Sequence, residues 1–161
     1  MDQHSRCGTI KGFVALSDQL GTAGQPTESQ FAEVAAAGYE LVVNLAMPTS
    51  DGALPDEKAV VERHGLAYLP LPIDFHAPKI ETAMRFFRVL DENRGRRMFV
   101  HCAANMRVSA LLYAYRVARG DMSRAEAGED LARVWEPNPT WKKYIEEVIA
   151  AAIRTSSRPR R

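Results

Sequence analysis

The sequence predicts an α/β fold, a three-layer domain with a small, mainly parallel central sheet flanked by helices. Two continuous apolar runs, at residues 41–45 and 98–101, are typical of inner parallel strands that are buried on both faces. Segments with helical periodicity lie between the predicted strands almost throughout the chain, and this alternation favours a mainly parallel sheet. Residues 1–161 are assigned to one domain, with 1–10 and 155–161 as flexible ends.

The first half of the chain supplies strands and two short helices. A short strand is predicted at 13–16, and the small residues 21–24 predict a turn after it. A capping box formed by Thr27 and Gln30 begins a helix that Gly38 closes. The remaining elements of this half are a strand at 41–45, a loop at 48–55, a helix at 57–64 and a strand at 67–71.

The second half of the chain is mainly helical. Pro78 opens a helix that ends near Gly95. After the strand at 98–101, residues 107–119 are apolar almost all round, so we expect this helix at the centre of the domain. A capping box over 123–126 begins the next predicted helix, which ends near Trp135. The last predicted helix begins at Asn138-Pro139.

The composition is that of an ordinary globular domain and carries no signal for a nucleic acid or a membrane as partner. Hydrophobic residues make up 46% and charged residues 25%, and the formal net charge is +1. No apolar run reaches membrane-spanning length, and the first residues show no secretory signal, so we expect a cytoplasmic protein. The sequence has no metal-ligand spacing and no nucleotide-binding fingerprint, so we expect neither a metal nor another cofactor.

The chain has two cysteines, Cys7 and Cys102. A structural disulfide between them is not expected, because Cys7 lies in a polar N-terminal segment and Cys102 at the end of a strand. A reducing compartment keeps such thiols free. A reversible disulfide in which Cys7 protects Cys102 is the alternative.

Residues 98–109 are the most informative stretch, because an apolar strand leads into His101 and Cys102 and a short loop leads to Arg107. Helix N-termini bind anions through N–H groups without intrahelical partners, and the helix dipole there favours a thiolate. We therefore expect Cys102 to attack a phosphate monoester and form a phosphocysteine, while loop N–H groups and the guanidinium hold the phosphate oxygens. The candidate phosphate-binding loop consists of Ala103, Ala104, Asn105, Met106 and Arg107.

Three further side chains are candidates for the chemistry. Asp74 is the predicted general acid, because its loop follows a strand and should open at the same sheet edge as Cys102. The same carboxylate could cap the following turn, and His76 is the fallback acid. Ser109 either assists departure of the thiolate or caps its helix locally.

Two side chains in the loop region have structural interpretations beside the functional ones. His101 is interpreted as orienting Cys102 rather than as a proton donor. Arg107 could pair with a nearby carboxylate instead of a phosphate. An arginine at a helix N-terminus opposes the helix dipole, which favours a bound anion as its partner.

These residues resemble the cysteine-dependent phosphatases of the dual-specificity type. More closely, the chain is similar to a bacterial phosphatase-like family related to the candidate phosphatase domain of beta-lactamase-hydrolase-like proteins. The resemblance covers most of residues 20–145, and it implies a dual-specificity-phosphatase-like fold, a nucleophilic cysteine and a phosphate-binding arginine. Gln25, in one of the segments that carry the resemblance, could reach the rim of the phosphate-binding pocket. The segments that carry it are Gly24-Gln25-Pro26, Val43-Asn44-Leu45, residues 101–109 and Trp135-Glu136-Pro137-Asn138.

The loop departs from the phosphatase pattern in its length. Such enzymes generally place five residues between cysteine and arginine, but four separate Cys102 from Arg107, and Val108 occupies the expected arginine position. Asn105 stands where glycine is usual, and asparagine tolerates the left-handed backbone conformation. Rhodanese sulfurtransferases use the four-residue spacing to form a cysteine persulfide, so sulfur transfer through Cys102 is an alternative. A non-catalytic phosphate-binding module is another. The substrate stays open among protein, lipid and nucleotide phosphates.

Overall fold

A computed structural model describes residues 6–156 of the protein, and within them a five-stranded sheet is covered by helices on both faces. The strands are β1 Val14–Ser17, β2 Leu20–Ala23, β3 Leu41–Asn44, β4 Ala67–Pro70 and β5 Met98–His101. The helices are α1 Gln30–Ala36, α2 Glu57–Arg63, α3 Ile80–Glu92, α4 Met106–Ala118, α5 Arg124–Ala132 and α6 Pro139–Ser156. None of these helices combines the length and the apolarity that crossing a membrane requires.

The predicted three-layer α/β architecture is confirmed. The sheet order is β1-β2-β5-β3-β4, and every pair is parallel except the antiparallel β1–β2 pair. One core contains buried residues of α3, α4 and α6, including Trp141, and a second core contains Phe31 and Val61 from α1 and α2. Helix α4 is buried as its composition predicts, with Leu111 and Leu112 at most 1% exposed.

The predicted turn at residues 21–24 is wrong, because residues 20–23 form strand β2. Its four residues pair in parallel with β5, from Leu20 opposite Met98 to Ala23 opposite His101. Gly21 is required there because a Cβ at this position would overlap the hydroxyl of Tyr39. A strand built from small residues has the composition of a turn, which is why the sequence pattern does not reveal it.

The structure also revises the predicted ends of the domain. Cys7 and Ile10 are buried in the second core, so the flexible N-terminal end predicted over 1–10 does not extend to these residues. Their apolar side chains pack with Phe99 and Tyr39 in that core. Residues 1–5 and 157–161 lie outside the described part of the chain.

Side-chain hydrogen bonds form at two helix starts, and the first is the predicted capping box. The Thr27 hydroxyl accepts from the N–H of Gln30 at 3.3 Å, and the Gln30 side chain accepts from the N–H of Thr27 at 2.9 Å. At α6, the Asn138 side chain accepts from the N–H of Trp141 at 2.9 Å. Helix α5 ends at Ala132, earlier than predicted, and a turn continues towards Trp135.

Candidate active site

A cavity of about 370 Å³ lies beyond the carboxyl ends of β3, β4 and β5. Ligands bind at such strand ends in open α/β sheets. The cavity brings together the predicted Cys102, Arg107 and Asp74, which come from two different loops and the first turn of α4. Its other lining residues are Met47, Thr49, Ser50, Asp51, Phe75, His76, Ala103, Ala104 and Met106.

The loop between β5 and α4 is held by the strand beside it. The N–H of Cys102 donates to the carbonyl of Ala23 at 3.2 Å, and Ala103 accepts from the N–H of Gln25 at 3.0 Å. Gly24 allows this approach, because a Cβ there would lie 2.7 Å from the carbonyl oxygen of Ala103. The backbone of β2, the strand absent from the sequence-based prediction, and of the two residues after it therefore holds the loop in place.

Asn105 turns the loop into α4. Its φ of 65° is in the left-handed region, as predicted for an asparagine in place of glycine. Its side-chain amide donates to the carbonyl of Gly12 at 2.8 Å and to the hydroxyl of Thr22 at 3.1 Å. The side chain is completely buried and is not among the residues that line the cavity, and these two hydrogen bonds fix the backbone of the loop.

Cys102 and Cys7 occupy different environments. Cys102 is 1% exposed and belongs to the core that contains α4, but it also lines the cavity. Cys7 belongs to the core on the opposite face of the sheet. Burial, together with the charge of Glu33, raises the pKa of Cys7 to about 11. The two thiols are thus separated by the sheet, and the structure does not favour the reversible disulfide.

Arg107 links the loops around the cavity. Its Nη1 donates to the carbonyl of Ile73 at 2.8 Å and its Nη2 to the hydroxyl of Ser50 at 3.4 Å. The guanidinium also lies 6.0 Å from the centre of the Phe75 ring. Within residues 6–156 these polar contacts are with a carbonyl and a hydroxyl, so the guanidinium charge is not neutralised by a carboxylate there.

Asp74 and His76 lie at the rim of the cavity. Asp74 is exposed, and its Oδ1 accepts from the N–H of His76 at 2.9 Å. The predicted turn cap therefore exists, and it leaves the carboxyl group at the lining of the cavity. The loop is anchored by α6, because the indole of Trp141 donates to the carbonyl of Phe75 at 2.8 Å and stacks on its ring.

Ser109 is not brought into this cavity. Its hydroxyl donates to the carbonyl of Met106 at 3.1 Å, one turn earlier in α4. It also lines a separate, small cavity with Thr22 and Leu112. The structure thus displays the local hydrogen bond that the sequence offers as one of two roles for Ser109.

A buried polar network that the sequence does not predict lies behind the loop. His101 is completely buried, with Nε2 2.8 Å from Oε2 of Glu57 and Nδ1 3.2 Å from the carbonyl oxygen of Cys102. Glu57 accepts from the side-chain amides of Gln25 at 2.6 Å and Asn44 at 3.0 Å. Gln25 therefore reaches Glu57, and it is not among the residues that line the cavity.

The surroundings of Glu57 favour the ionised form of its carboxyl group. Burial alone would raise the pKa of its carboxyl group, but hydrogen bonds from His101, Gln25 and Tyr68 and the charge of His101 outweigh burial and lower it. A glutamate in the first turn of a helix is usually exposed, so no sequence pattern singled it out. The sequence did hold one signal for this network. Gln25 and Asn44, whose amides contact Glu57, lie in two of the segments that carry the resemblance.

Comparison with known proteins shows the family to which the chain belongs. Residues 16–147 match the family described as "DSP-PTPase phosphatase fused to NAD+ Kinase". The chain belongs to this phosphatase family. The match spans both cores of the domain and all of the loop residues discussed above, and the predicted resemblance to dual-specificity phosphatases and to beta-lactamase-hydrolase-like proteins is confirmed.

Individual relatives of this phosphatase-family chain are similar to it in sequence or in fold. A DUF442 protein of Shewanella putrefaciens CN-32, named as a candidate phosphatase, shares 32% identity, covers 92% of this chain and 97% of its own, and gives a TM-score of 0.82. A beta-lactamase hydrolase-like protein of Xylella fastidiosa is 29% identical over 81% of this chain. The chain spans only 32% of the length of that relative. TpbA of P. aeruginosa, solved in complex with pTyr, is 14% identical, covers 92% of this chain and 91% of its own, and shares the fold with a TM-score of 0.73.

Proposed function

We propose that this protein is a cysteine-dependent phosphatase that hydrolyses phosphate monoesters. The observation that carries the proposal is the convergence of Cys102, Arg107 and Asp74 on one cavity at the N-terminus of α4. A thiolate, an unneutralised guanidinium and free helix N–H groups are the parts that transfer of a phosphoryl group needs.

The reaction takes place in two steps. Sγ of Cys102 attacks phosphorus, an S–P bond forms, and the P–O bond to the leaving group breaks while Asp74 gives that oxygen a proton. A water molecule then attacks phosphorus and returns a proton to Asp74, and the S–P bond breaks to release phosphate and the thiolate. Arg107 and the loop amides stabilise the equatorial oxygens in both steps.

The lining of the cavity favours substrates whose only strong charge is the phosphate. Arg107 brings a guanidinium to this lining, and Asp51 and Asp74 bring carboxylates to it. Further phosphates on the leaving group would face these carboxylates. An aryl phosphate meets this requirement, and pTyr in the complex of TpbA is one.

The experiment that tests the proposal is release of phosphate from an aryl phosphate by the purified protein at mildly acidic pH, with a metal chelator present. Catalytic release with saturation kinetics supports the proposal. Stoichiometric binding of phosphate without release would favour the phosphate-binding module that the short loop also allows.

Asp74→Asn is expected to slow an alkyl phosphate by about 10²-fold, the usual contribution of a general acid. The turnover of a nitrophenyl phosphate should fall much less, because its leaving group departs without a proton. The measurement is kcat for both substrates in wild type and variant, with His76→Gln as the matched control. Equal losses on both substrates would remove Asp74 from the acid role, and a leaving-group effect confined to His76→Gln would transfer that role to His76.

Sulfur transfer is the second candidate, and the four-residue spacing between Cys102 and Arg107 favours it. In that reaction Sγ attacks the outer sulfur of thiosulfate, an S–S bond forms on Cys102, and sulfite leaves with the electron pair of the broken bond. Incubation with thiosulfate would then add the mass of one sulfur atom to the peptide that contains Cys102. The phosphatase proposal expects no such gain.

A further inference from the structure

We infer that Glu57 is a positioning residue that keeps His101 doubly protonated behind Cys102 and thereby favours the reactive thiolate. The inference rests on the proposed function only in taking Cys102 as the nucleophile. It assigns a role in reactivity to a side chain that does not line the cavity of Cys102.

The contacts of the ring fix where its protons are. Nδ1 of His101 lies 3.2 Å from the carbonyl oxygen of Cys102, and a carbonyl can only accept, so Nδ1 carries a hydrogen. Nε2 lies 2.8 Å from Oε2 of Glu57. With Glu57 ionised, Nε2 donates as well, and the imidazolium form satisfies both contacts.

The neighbouring amides keep Glu57 in its ionised form. Asn44 accepts from the N–H of Ala46 at 2.9 Å with its carbonyl oxygen, so its amide nitrogen must face Glu57. The amide nitrogen of Gln25 donates both to the carbonyl of Pro26 at 3.0 Å and to Oε1 of Glu57 at 2.6 Å. Both carboxylate oxygens thus accept hydrogen bonds from amides of fixed orientation, which favours the charged form.

The ring of His101 is enclosed, so its charge acts on Cys102 with little screening by solvent. Among the described residues, the titratable groups at this pair are Glu57 from α2, Cys102 beside the ring, and Tyr68 from β4, whose hydroxyl lies 3.1 Å from the amide of Asn44. The other packed elements contribute the rings of Phe31 and Phe99. Glu57 is therefore the group that can hold a proton on Nε2.

The test is the pH dependence of alkylation of Cys102 by iodoacetamide, followed by mass spectrometry of its peptide in the full chain without substrate. In Glu57→Gln the midpoint should move to higher pH by about one unit, the scale of one close charge, which is a roughly tenfold slower reaction on the acidic side. Removal of a carboxylate by itself would favour a nearby thiolate and move the midpoint to lower pH. An unchanged or lowered midpoint would therefore overturn the inference.

Two comparisons separate a role through His101 from general damage. Glu62→Gln removes an exposed carboxylate from the same helix and should leave the midpoint unchanged. In a His101→Asn background, Glu57→Gln should cause no further shift to higher pH, and only the small opposite shift from losing a carboxylate remains. A second shift of full size in that background would show that Glu57 does not act through the ring.

A measurement on the wild type covers the case in which Glu57→Gln fails to fold. Long-range proton–nitrogen NMR correlations report whether each ring nitrogen of His101 carries a hydrogen. Both nitrogens should be protonated at neutral pH, and one unprotonated nitrogen would overturn the inference. Neither this spectrum nor the alkylation needs phosphatase activity, so failure of the proposed function and failure of this inference are distinguishable.

Discussion

Cys102→Ser is expected to abolish hydrolysis of an aryl phosphate, with a loss of kcat on the order of 10⁴-fold or more, the scale of nucleophile removal in other hydrolases. A serine hydroxyl keeps its proton where a cysteine forms a thiolate, so the variant has no effective nucleophile. The loop N–H groups and Arg107 are unchanged by this substitution. The variant should therefore still bind inorganic tungstate, measured by calorimetry, with an affinity close to that of the wild type.

The control for this prediction is Cys7→Ser. Cys7 lies in the core on the other face of the sheet, and the pKa of its thiol is raised to about 11, so it takes no part in the reaction. Activity of Cys7→Ser should match the wild type once its folded fraction is corrected for. Full activity in Cys102→Ser would refute the mechanism, and loss of tungstate binding in that variant would show that the loop had been displaced.

Arg107→Lys is expected to lower kcat/KM for an aryl phosphate by about 10²–10³-fold, the usual effect of removing one group that stabilises the transition state. A lysine carries the same charge but cannot place two parallel N–H groups on two phosphate oxygens. It also cannot maintain the bonds that Arg107 makes to the carbonyl of Ile73 and the hydroxyl of Ser50. The measurement is kcat and KM for wild type and variant, with thermal unfolding of both.

Arg63→Lys is the matched control for this substitution. Arg63 is an exposed residue of α2 that pairs with Glu28, so its exchange should leave both kinetic constants unchanged. A variant of Arg107 that retains wild-type kcat/KM would remove the guanidinium from transition-state stabilisation. Arg107 would then be a structural link between loops.

The alternation of strand and helix could be predicted because buried strands and half-buried helices have different patterns of apolar residues. Strand β3 and strand β5 are buried on both faces, and such strands have near-continuous apolar sequences. Residues 41–45 and 98–101 follow this pattern apart from Asn44 and His101. Strand β2 escaped prediction because its fit depends on a distant side chain. Gly21 is needed for space beside Tyr39, and no local pattern encodes that contact.

The candidate site was predictable where chemistry and local structure coincide. The loop from Cys102 to Arg107 joins a strand to a helix, so its residues could be selected from their order alone. Glu57 was not predictable because its role depends on a contact with His101, a residue 44 positions away. A charged residue in the first helical turn has the same sequence pattern whether it faces solvent or a buried histidine.

The phosphocysteine intermediate is tested most directly by the mass of the Cys102 peptide after brief reaction with an aryl phosphate, rapid denaturation and digestion. We predict a phosphate adduct on Cys102 that is absent from the Cys102→Ser variant and disappears as the substrate is exhausted. Asp74→Asn should retain the adduct when the substrate is a nitrophenyl phosphate, because that leaving group needs no proton. Turnover without any adduct on Cys102, or an adduct of one sulfur atom formed from thiosulfate in its place, would contradict the phosphatase mechanism.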